Sequence, residues 1–417
     1  MKKNKIDEMD FFINFNKFNI KEFKSYFPSS SIETKGMLSG SFKVAGLTES
    51  ISIFGDFIID KPMFDKIAGE SLNGKILYEK NRLYLNELNF NTIGGNYTGV
   101  GNFPIISNNF SNKSISDNKF IDFTLTGKSN NLNIFSPYLA NIDSINGTHL
   151  SDSTFSMLLD ISGDLDNPIR NGKLICNDAT IYLEQFNNPI TNVKCNLTLT
   201  DNILNIYEFK GKSKKNIDHN IFSNFFKKIN GLLKNNNKDI NNDIFTTGKI
   251  DLNSFFKPRY DLNITSKEVH LESSYDNFQG SGALNLSVKG KDTIMVAGTF
   301  LPSPNDFIIT NYNTNYEYLD DKILTNYRIN LNIPFDNGIE INTANANIFV
   351  DGDLTLSNNE INQYVFSGRI NFIDGRYYDD QGNHYENISG QLVLSPDDKF
   401  SHIDLHATTH ILNSLID

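Results

Sequence analysis

The chain of 417 residues contains no tryptophan and only two cysteines, Cys176 and Cys195. So few thiols, in no zinc spacing, exclude a disulfide-stapled scaffold and a zinc module. Arginine is confined to Arg82, Arg170, Arg259, Arg328, Arg369 and Arg376, and lysine carries the rest of the positive charge. Lys+Arg 38 against Asp+Glu 49 leaves a net charge of −11. An acidic surface repels a phosphate backbone unless its cations cluster, and here they do not, so no nucleic-acid partner is expected. Long apolar runs are missing too. Met1–Asp10 is charged throughout, and the stretch Phe11–Phe18 is broken by Asn14, Asn16 and Lys17. Neither a secretion signal nor a spanning helix is visible. A content of 39% hydrophobic residues at a mean hydropathy of −0.36 suffices for a core, which excludes both wholesale disorder and a polytopic helical membrane protein. Asn, Ile, Phe and Tyr are abundant, as suits an AT-rich genome, so the asparagines are not read as a disordered polar tract.

What is present, from end to end, is period-two alternation. Leu38, Phe42 and Val44 alternate with Ser39, Ser41 and Lys43; Ile121, Phe123 and Leu125 alternate with Asp122 and Thr124. Phe155, Met157, Leu159 and Ile161 continue the pattern, as do Leu284, Leu286 and Val288, and Ile329, Leu331 and Ile333. Strands buried on both faces would read instead as unbroken Val/Ile/Leu runs, so the expected sheet is mostly antiparallel with one wet face. Turn signals fall between the runs at Gly94-Gly95-Asn96, Asp166-Asn167-Pro168, Asp201-Asn202, Asp336-Asn337-Gly338 and Asp379 to Asn383. The chain begins and ends abruptly inside this pattern, which suggests a piece of a longer protein.

Helical periodicity is scarce. A short turn is expected at Ile20–Tyr26. One amphipathic helix is expected over 217–233, where Ile217, Ile221, Phe222, Phe225, Phe226, Ile229, Leu232 and Leu233 recur at three- and four-residue spacing beside Lys227, Lys228 and Lys234. It packs on the sheet, covers an apolar groove as a flap, or lies on a membrane surface. Polar stretches on either side make 212–243 a linker between an N-terminal β region, 1–211, and a C-terminal one, 244–417. If Leu174–Leu183 and Ile190–Leu199 pair as a hairpin about Gln185 and Phe186, Cys176 and Cys195 face each other, either as two small buried hydrophobes or as a cross-strand disulfide in an oxidising compartment.

Sites of chemistry are hard to find, and neither an enzyme nor a cofactor is expected. Gly95, Gly99 and Gly101 have dinucleotide-loop spacing, but Pro104 and strand-like residues follow where a helix N-terminus is required. His402, His406 and His410 would stack on one face of a helix as metal ligands. The alternation of Ile403, Leu405 and Ala407 makes them the polar face of a strand instead. Asp379 and Asp380 lack the spaced oxygens of a calcium loop and read as a hairpin turn. No metal is expected.

A loose repeat runs through the chain. Gly163, Leu165, Asp166, Asn167 and Pro168 lead to Gly172 and Leu174, then to Asn188-Pro189-Ile190-Thr191-Asn192-Val193. Similar units recur around Gly40, Gly55 and Gly74, and later around Gly352, Gly368, Gly375 and Gly390. The unit is a strand entered through glycine, turned and repeated. The series from Gly163 to Leu174, the Asn188–Val193 stretch and the glycine-strand series from Gly352 to Ala407 resemble the TamB-type translocation and assembly modules, AsmA-like proteins of Gram-negative bacteria. The resemblance covers most of the chain, closest toward the C-terminal region of that family. The chain departs from it in having no N-terminal anchor and in stopping before the usual final segment.

A sheet with one apolar face and few helices must cover that face by curling or by pairing with another sheet. The expected fold is therefore all-β: a long, curled, mostly antiparallel sheet with an apolar inner face and one inserted amphipathic helix. The resemblance implies a U-shaped β-taco, an open tube bridging the periplasm. It further implies transport of phospholipids toward the outer membrane, assistance to outer-membrane protein assembly through a barrel-protein partner, and an inner-membrane anchor in the full-length family. Acyl chains would slide along a trough lined by Phe42, Val44, Ile121, Phe123, Leu159, Ile161, Leu284, Leu286, Leu331, Ile333, Ile370 and Phe372, with contact to the membranes at the ends. The competing expectations are a structural or adhesive β scaffold and a strand-binding assembly factor.

Overall fold

The computed structural model describes residues 8–22, 33–47, 50–105, 119–134, 142–147, 154–183, 186–213, 243–254, 257–272, 278–303, 308–309, 327–335, 338–342, 345–358, 364–379, 383–395 and 401–409. The helix expected over 217–233, most of the linker around it, and His410 lie outside these residues. Among the described residues helical geometry is limited to short turns such as Ile20–Glu22, the start of the turn expected at Ile20–Tyr26.

Strands make up nearly everything else. In chain order they are β1 (Met9–Asn19), β2 (Thr34–Leu47), β3 (Ser50–Phe64), β4 (Ile67–Ala68), β5 (Ser71–Glu79), β6 (Arg82–Thr92), β7 (Gly95–Pro104), β8 (Phe120–Ser129), β9 (Ile142–Gly147), β10 (Phe155–Asp164), β11 (Asn167–Leu183), β12 (Ile190–Thr200) and β13 (Ile203–Ser213). There follow β14 (Asp243–Asp251), β15 (Arg259–Glu272), β16 (Phe278–Gly290), β17 (Ile294–Pro302), β18 (Ile308–Ile309), β19 (Tyr327–Pro334), β20 (Ile339–Asn342), β21 (Ala346–Asn358), β22 (Tyr364–Tyr378), β23 (His384–Leu394) and β24 (His402–Thr409). All 24 belong to one open, mostly antiparallel sheet, in which β17 pairs with β19 and β18 with β20 in parallel.

The chain divides into two compact units. One comprises residues 1–140, 144–180 and 194–207; the other comprises 141–143, 181–193 and 208–417. In the first unit β1, β2, β3, β5, β6, β7 and β8 pair in sequence, and β8 then pairs with β10 and β10 with β11. Two-residue turns fix this register. Lys80 and Asn81 (φ 50° and 60°) join β5 to β6, and Asp201 and Asn202 (φ 48° and 69°) join β12 to β13. Positive φ at both turn positions gives a twist that matches the flanking strands. The turn expected at Asp166-Asn167-Pro168 falls slightly earlier, at Leu165–Asp166, where the Asp164 carboxylate accepts the Asp166 N–H at 2.8 Å and Pro168 already lies within β11.

The glycines correct the sequence reading. They were expected to enter strands, yet Gly40, Gly55, Gly74, Gly172, Gly352, Gly368 and Gly390 sit inside them. Gly368 (φ +132°) shows one reason: a Cβ there would strike the carbonyl of Asp353 on β21.

Buried apolar clusters form within each unit. Ile20, Leu38 and Ile59 gather Phe15, Phe18, Phe57 and Leu72 in the first. In the second, Ile244, Val269 and Phe300 form one cluster, and Phe335, Ile339 and Val350 form another.

Candidate functional site

Residues directly opposite one another in a sheet point to the same side, so the pairing register assigns faces strand by strand. In the first unit one row crosses from β1 to β11 through Ile13, Phe42, Gly55, Ile76, Leu85, Gly101, Phe123, Ile161 and Arg170. The adjacent row on the same face is Phe15, Gly40, Phe57, Gly74, Leu88, Gly99, Leu125, Leu159 and Gly172. Apart from Arg170, both rows consist of large apolar residues and glycine.

The two residue types fit together. A Cβ on Gly99 would lie 2.9 Å from the Phe123 ring, and one on Gly74 would lie 3.1 Å from the Phe57 ring. Each ring therefore lies across the bare backbone of the neighbouring strand instead of standing away from the sheet, and the apolar surface stays low and even. The second unit repeats the device at Gly282, where a Cβ would meet the Phe300 ring at 2.7 Å.

The opposite face of the first unit carries polar ladders. Asn89 donates to Asn73 at 3.2 Å, Thr98 and Thr126 hydroxyls lie 2.6 Å apart, and Thr124 donates to the Asp160 carboxylate at 2.6 Å. Lys75 and Glu87 pair at 3.1 Å in full solvent exposure. Their hydrogen bond raises the lysine pKa and lowers that of the glutamate, which a hydrogen bond from Asn89 lowers further. Such a pair adds little stability.

The residues proposed from the sequence to line a groove fall on these strands as follows. Phe42 and Val44 on β2 are buried. Ile121 and Phe123 on β8 and Leu159 and Ile161 on β10 are half-buried, with Ile161 directly opposite Phe123 and Ile121 opposite Gly163. In the second unit Leu284 lies opposite Phe300, and Leu286 pairs with Gly298, which pairs with Leu331. Leu284, Leu331 and Ile333 pack on the Phe300 cluster, while Ile333, Ile370 and Phe372 pack on the Val350 cluster. In the first unit the register puts the named residues on one face, with Phe42 and Val44 separated from the others by β3, β5, β6 and β7.

Cys176 and Cys195 are both buried, and Cys176 lies opposite Phe155. The thiols hydrogen-bond to each other. That bond first, and burial second, hold the Cys176 pKa far above the ordinary thiol range. In this state they are a reduced pair.

Sequence reasoning missed a buried polar network in the second unit. Asn188 donates to the Ser213 hydroxyl at 3.0 Å and to the His270 carbonyl at 2.6 Å, and its own side-chain oxygen accepts the Glu272 N–H at 2.9 Å. Ser213 donates to the same His270 carbonyl at 2.5 Å and accepts the His270 N–H at 3.1 Å. The His270 ring nitrogen Nδ1 lies 2.9 Å from the Ser281 hydroxyl. Asp243, also buried, pairs with Lys210 at 2.8 Å. Asn188 and Ser213 are spent on backbone groups, which makes their part of the network a strut between strands. The sequence carried one signal: His270 stands between Val269 and Leu271, where the register of β15 against β16 slips between Ser266 and Val269.

The remaining sequence candidates resolve simply. Gly95, Gly99 and Gly101 lie within β7. His402 and His406 sit on the fully exposed β24, with His406 3.5 Å from Asp404. Asp379 accepts the Asn383 N–H at 2.8 Å, and Asp380 lies outside the described residues. Among the described residues no group of three or more His, Cys, Asp or Glu is placed to share a metal ion.

Comparison with protein-family models, curated proteins and solved structures returns no match. The likeness to TamB-type modules rests on the residue patterns alone. No helix among the described residues is long and apolar enough to cross a membrane.

Proposed function

We propose that this chain is part of a bridge-like lipid-transport protein that conducts phospholipids between the inner and outer membranes of a Gram-negative cell. In this reading the sheet curls into a trough with the Phe42 face inside, acyl chains lie on that face, and headgroups stay near the open edge. Transport is diffusive along the trough or driven from elsewhere. It operates in the periplasm, with an outer-membrane barrel protein as an additional partner in assembly.

The observation that carries this reading is the pair of apolar-and-glycine rows from β1 to β11. They cross successive strands spaced about 4.8 Å apart, so an occupant meets one continuous greasy surface. Each CH₂ withdrawn from water onto such a surface contributes about 0.8 kcal/mol and needs no polar partner.

The test is native mass spectrometry with lipid analysis of an organic extract, on protein produced in a Gram-negative host with a periplasmic signal added. Copurifying phospholipid is expected, and the double substitution Leu159→Arg with Ile161→Arg, on the carrying rows, should abolish it while leaving β content intact. Lipid occupancy unchanged by that substitution overturns the trough. Wild-type protein that folds cooperatively and carries no lipid points to a scaffold with a side-chain-filled core.

A further inference from the structure

Among the described residues β24 pairs with β23 alone, and all eight of its residues are exposed. Its outer edge therefore presents backbone N–H and C=O groups that a further strand can satisfy. Such edges are ordinarily blunted by a lysine, a proline or a bulge. β1, which pairs with β2, is blunted in this way: Lys17 stands at φ 51° where the register slips between Phe15 and Phe18. β24 contains no lysine, proline or glycine, and the extra residue at the slip between Glu386 and Ser389 belongs to β23. Ile403 lies opposite Leu392 and Leu405 opposite Gly390, which pair in turn with Ile370 and Phe372, so both stand on the face of the Val350 cluster. His402, Asp404 and His406 occupy the other face, where His406 lies 3.5 Å from Asp404. The β23 residues opposite His406 and Asp404 are the uncharged Ser389 and Gln391.

This edge is complementary to itself. Two antiparallel edges related by a twofold axis keep the same face upward, so only residues of one face stand opposite one another, and the pairing is centred on a single residue. Centred on Leu405, it sets Leu405 against its own copy, Ile403 against Ala407, and Asp404 against His406 on both sides of the axis. Centred on Asp404 it opposes two carboxylates, and centred on His406 two imidazoles; nearer either end, most of the strand stays unpaired. An imidazole opposite a carboxylate donates a hydrogen bond in either charge state and adds ion-pair attraction when protonated, whereas like charges directly opposite repel. We infer that two copies of this chain join through β24, antiparallel about Leu405, with Asp404 of each copy facing His406 of the other. The occupant of the edge is a second copy because β24 supplies both halves of the pair. This junction stands independently of the lipid reading.

The test is sedimentation velocity of the full chain at physiological ionic strength over a range of concentrations. Wild-type protein should pass from 47.2 kDa to twice that mass as concentration rises. D404K, which turns two attractive cross-strand pairs unfavourable, should weaken the dimer by about tenfold. Adding H406D to D404K exchanges the two signs and should restore most of the loss. L405C should form a disulfide-linked dimer on mild oxidation, because this register sets that position against its own copy, and I403C should not. A wild-type monomer at every concentration overturns the junction. So does a dimer that D404K leaves unchanged, or one that the added H406D fails to restore. Should D404K lose β content by circular dichroism, the cysteine variants decide: cross-linking of L405C alone supports the register, and equal cross-linking of I403C overturns it.

Discussion

In the first unit β1, β2, β3, β5, β6, β7, β8, β10 and β11 pair antiparallel with short register shifts on β1–β2, β2–β3, β5–β6 and β6–β7, and two adjacent rows of the Phe42 face consist of apolar side chains and glycine with one arginine. In the second unit β17 pairs with β19 in parallel, β15 slips register between Ser266 and Val269, and Asn188, Ser213, His270 and Ser281 are buried together. The contrast follows from where backbone hydrogen bonds go. A hairpin satisfies each strand with its sequence neighbour, and its faces can be as apolar as the alternation allows. Where a ladder is interrupted, buried N–H and C=O groups still need partners, and side chains must supply them. Asn188 and Ser213 do so for His270 and Glu272. Polar burial in this network therefore marks the place where side chains complete the backbone pairing.

The sharpest way to break this contrast is Asn188→Ala. It strands the Glu272 N–H and weakens the bonding of the His270 carbonyl, at about 1–3 kcal/mol for each buried group left unsatisfied. Asn73→Ala, on the polar face of the first unit, should stay within about 0.5 kcal/mol. Urea denaturation of the two variants measures both; equal costs would mean that the buried network is no strut.

Gly99→Ala comes next, probing the first unit on its own terms. The added methyl meets the Phe123 ring first and Leu88 next, so a cost of about 1–3 kcal/mol is expected from overpacking. Adding Phe123→Leu should recover much of it, giving a coupling of about 0.5–3 kcal/mol in a double-mutant cycle. Strict additivity would show that ring and glycine are independent.

The smallest effect concerns pH. Unfolded, Cys176 titrates near its ordinary value of 9.0, whereas the folded thiol keeps its proton because Cys195 and burial raise its pKa. A raised folded pKa adds stability that is fully present below the unfolded value and fades as pH climbs beyond it. Melting temperature should decline from about pH 9 upward, and less steeply in Cys176→Ala. A titration by circular dichroism from about pH 8 to about pH 10.5 distinguishes the two slopes.

Much of the architecture was legible because alternation is local. The run Phe155, Met157, Leu159, Ile161 became β10, Ile329, Leu331 and Ile333 lie in β19, and Asp201-Asn202 forms the expected two-residue turn. Cys176 and Cys195 do meet, while Gln185, about which the hairpin was expected to turn, lies outside the described residues. What escaped depends on contacts far apart in sequence. Asn188 reaches a residue 82 positions away, and no local pattern announces that partner. Gly99 faces Phe123 only once the register of β7 on β8 is set, so a glycine weighed in the sequence for a dinucleotide loop proved to be the seat of a ring. Arg170 was noted in the sequence only as one of few arginines; its face became known through Ile161.

The seating of rings on glycines also bears on how such a chain can change over generations. Gly74 with Phe57, Gly99 with Phe123 and Gly282 with Phe300 are each two positions on neighbouring strands that share one volume. Selection then acts on the sum within a pair, so a methyl gained on one strand is tolerated when carbon is shed on the other. Individual positions can drift widely while the surface they jointly build keeps its height, and ancestry would be written in paired changes across strands more than in any single preserved residue.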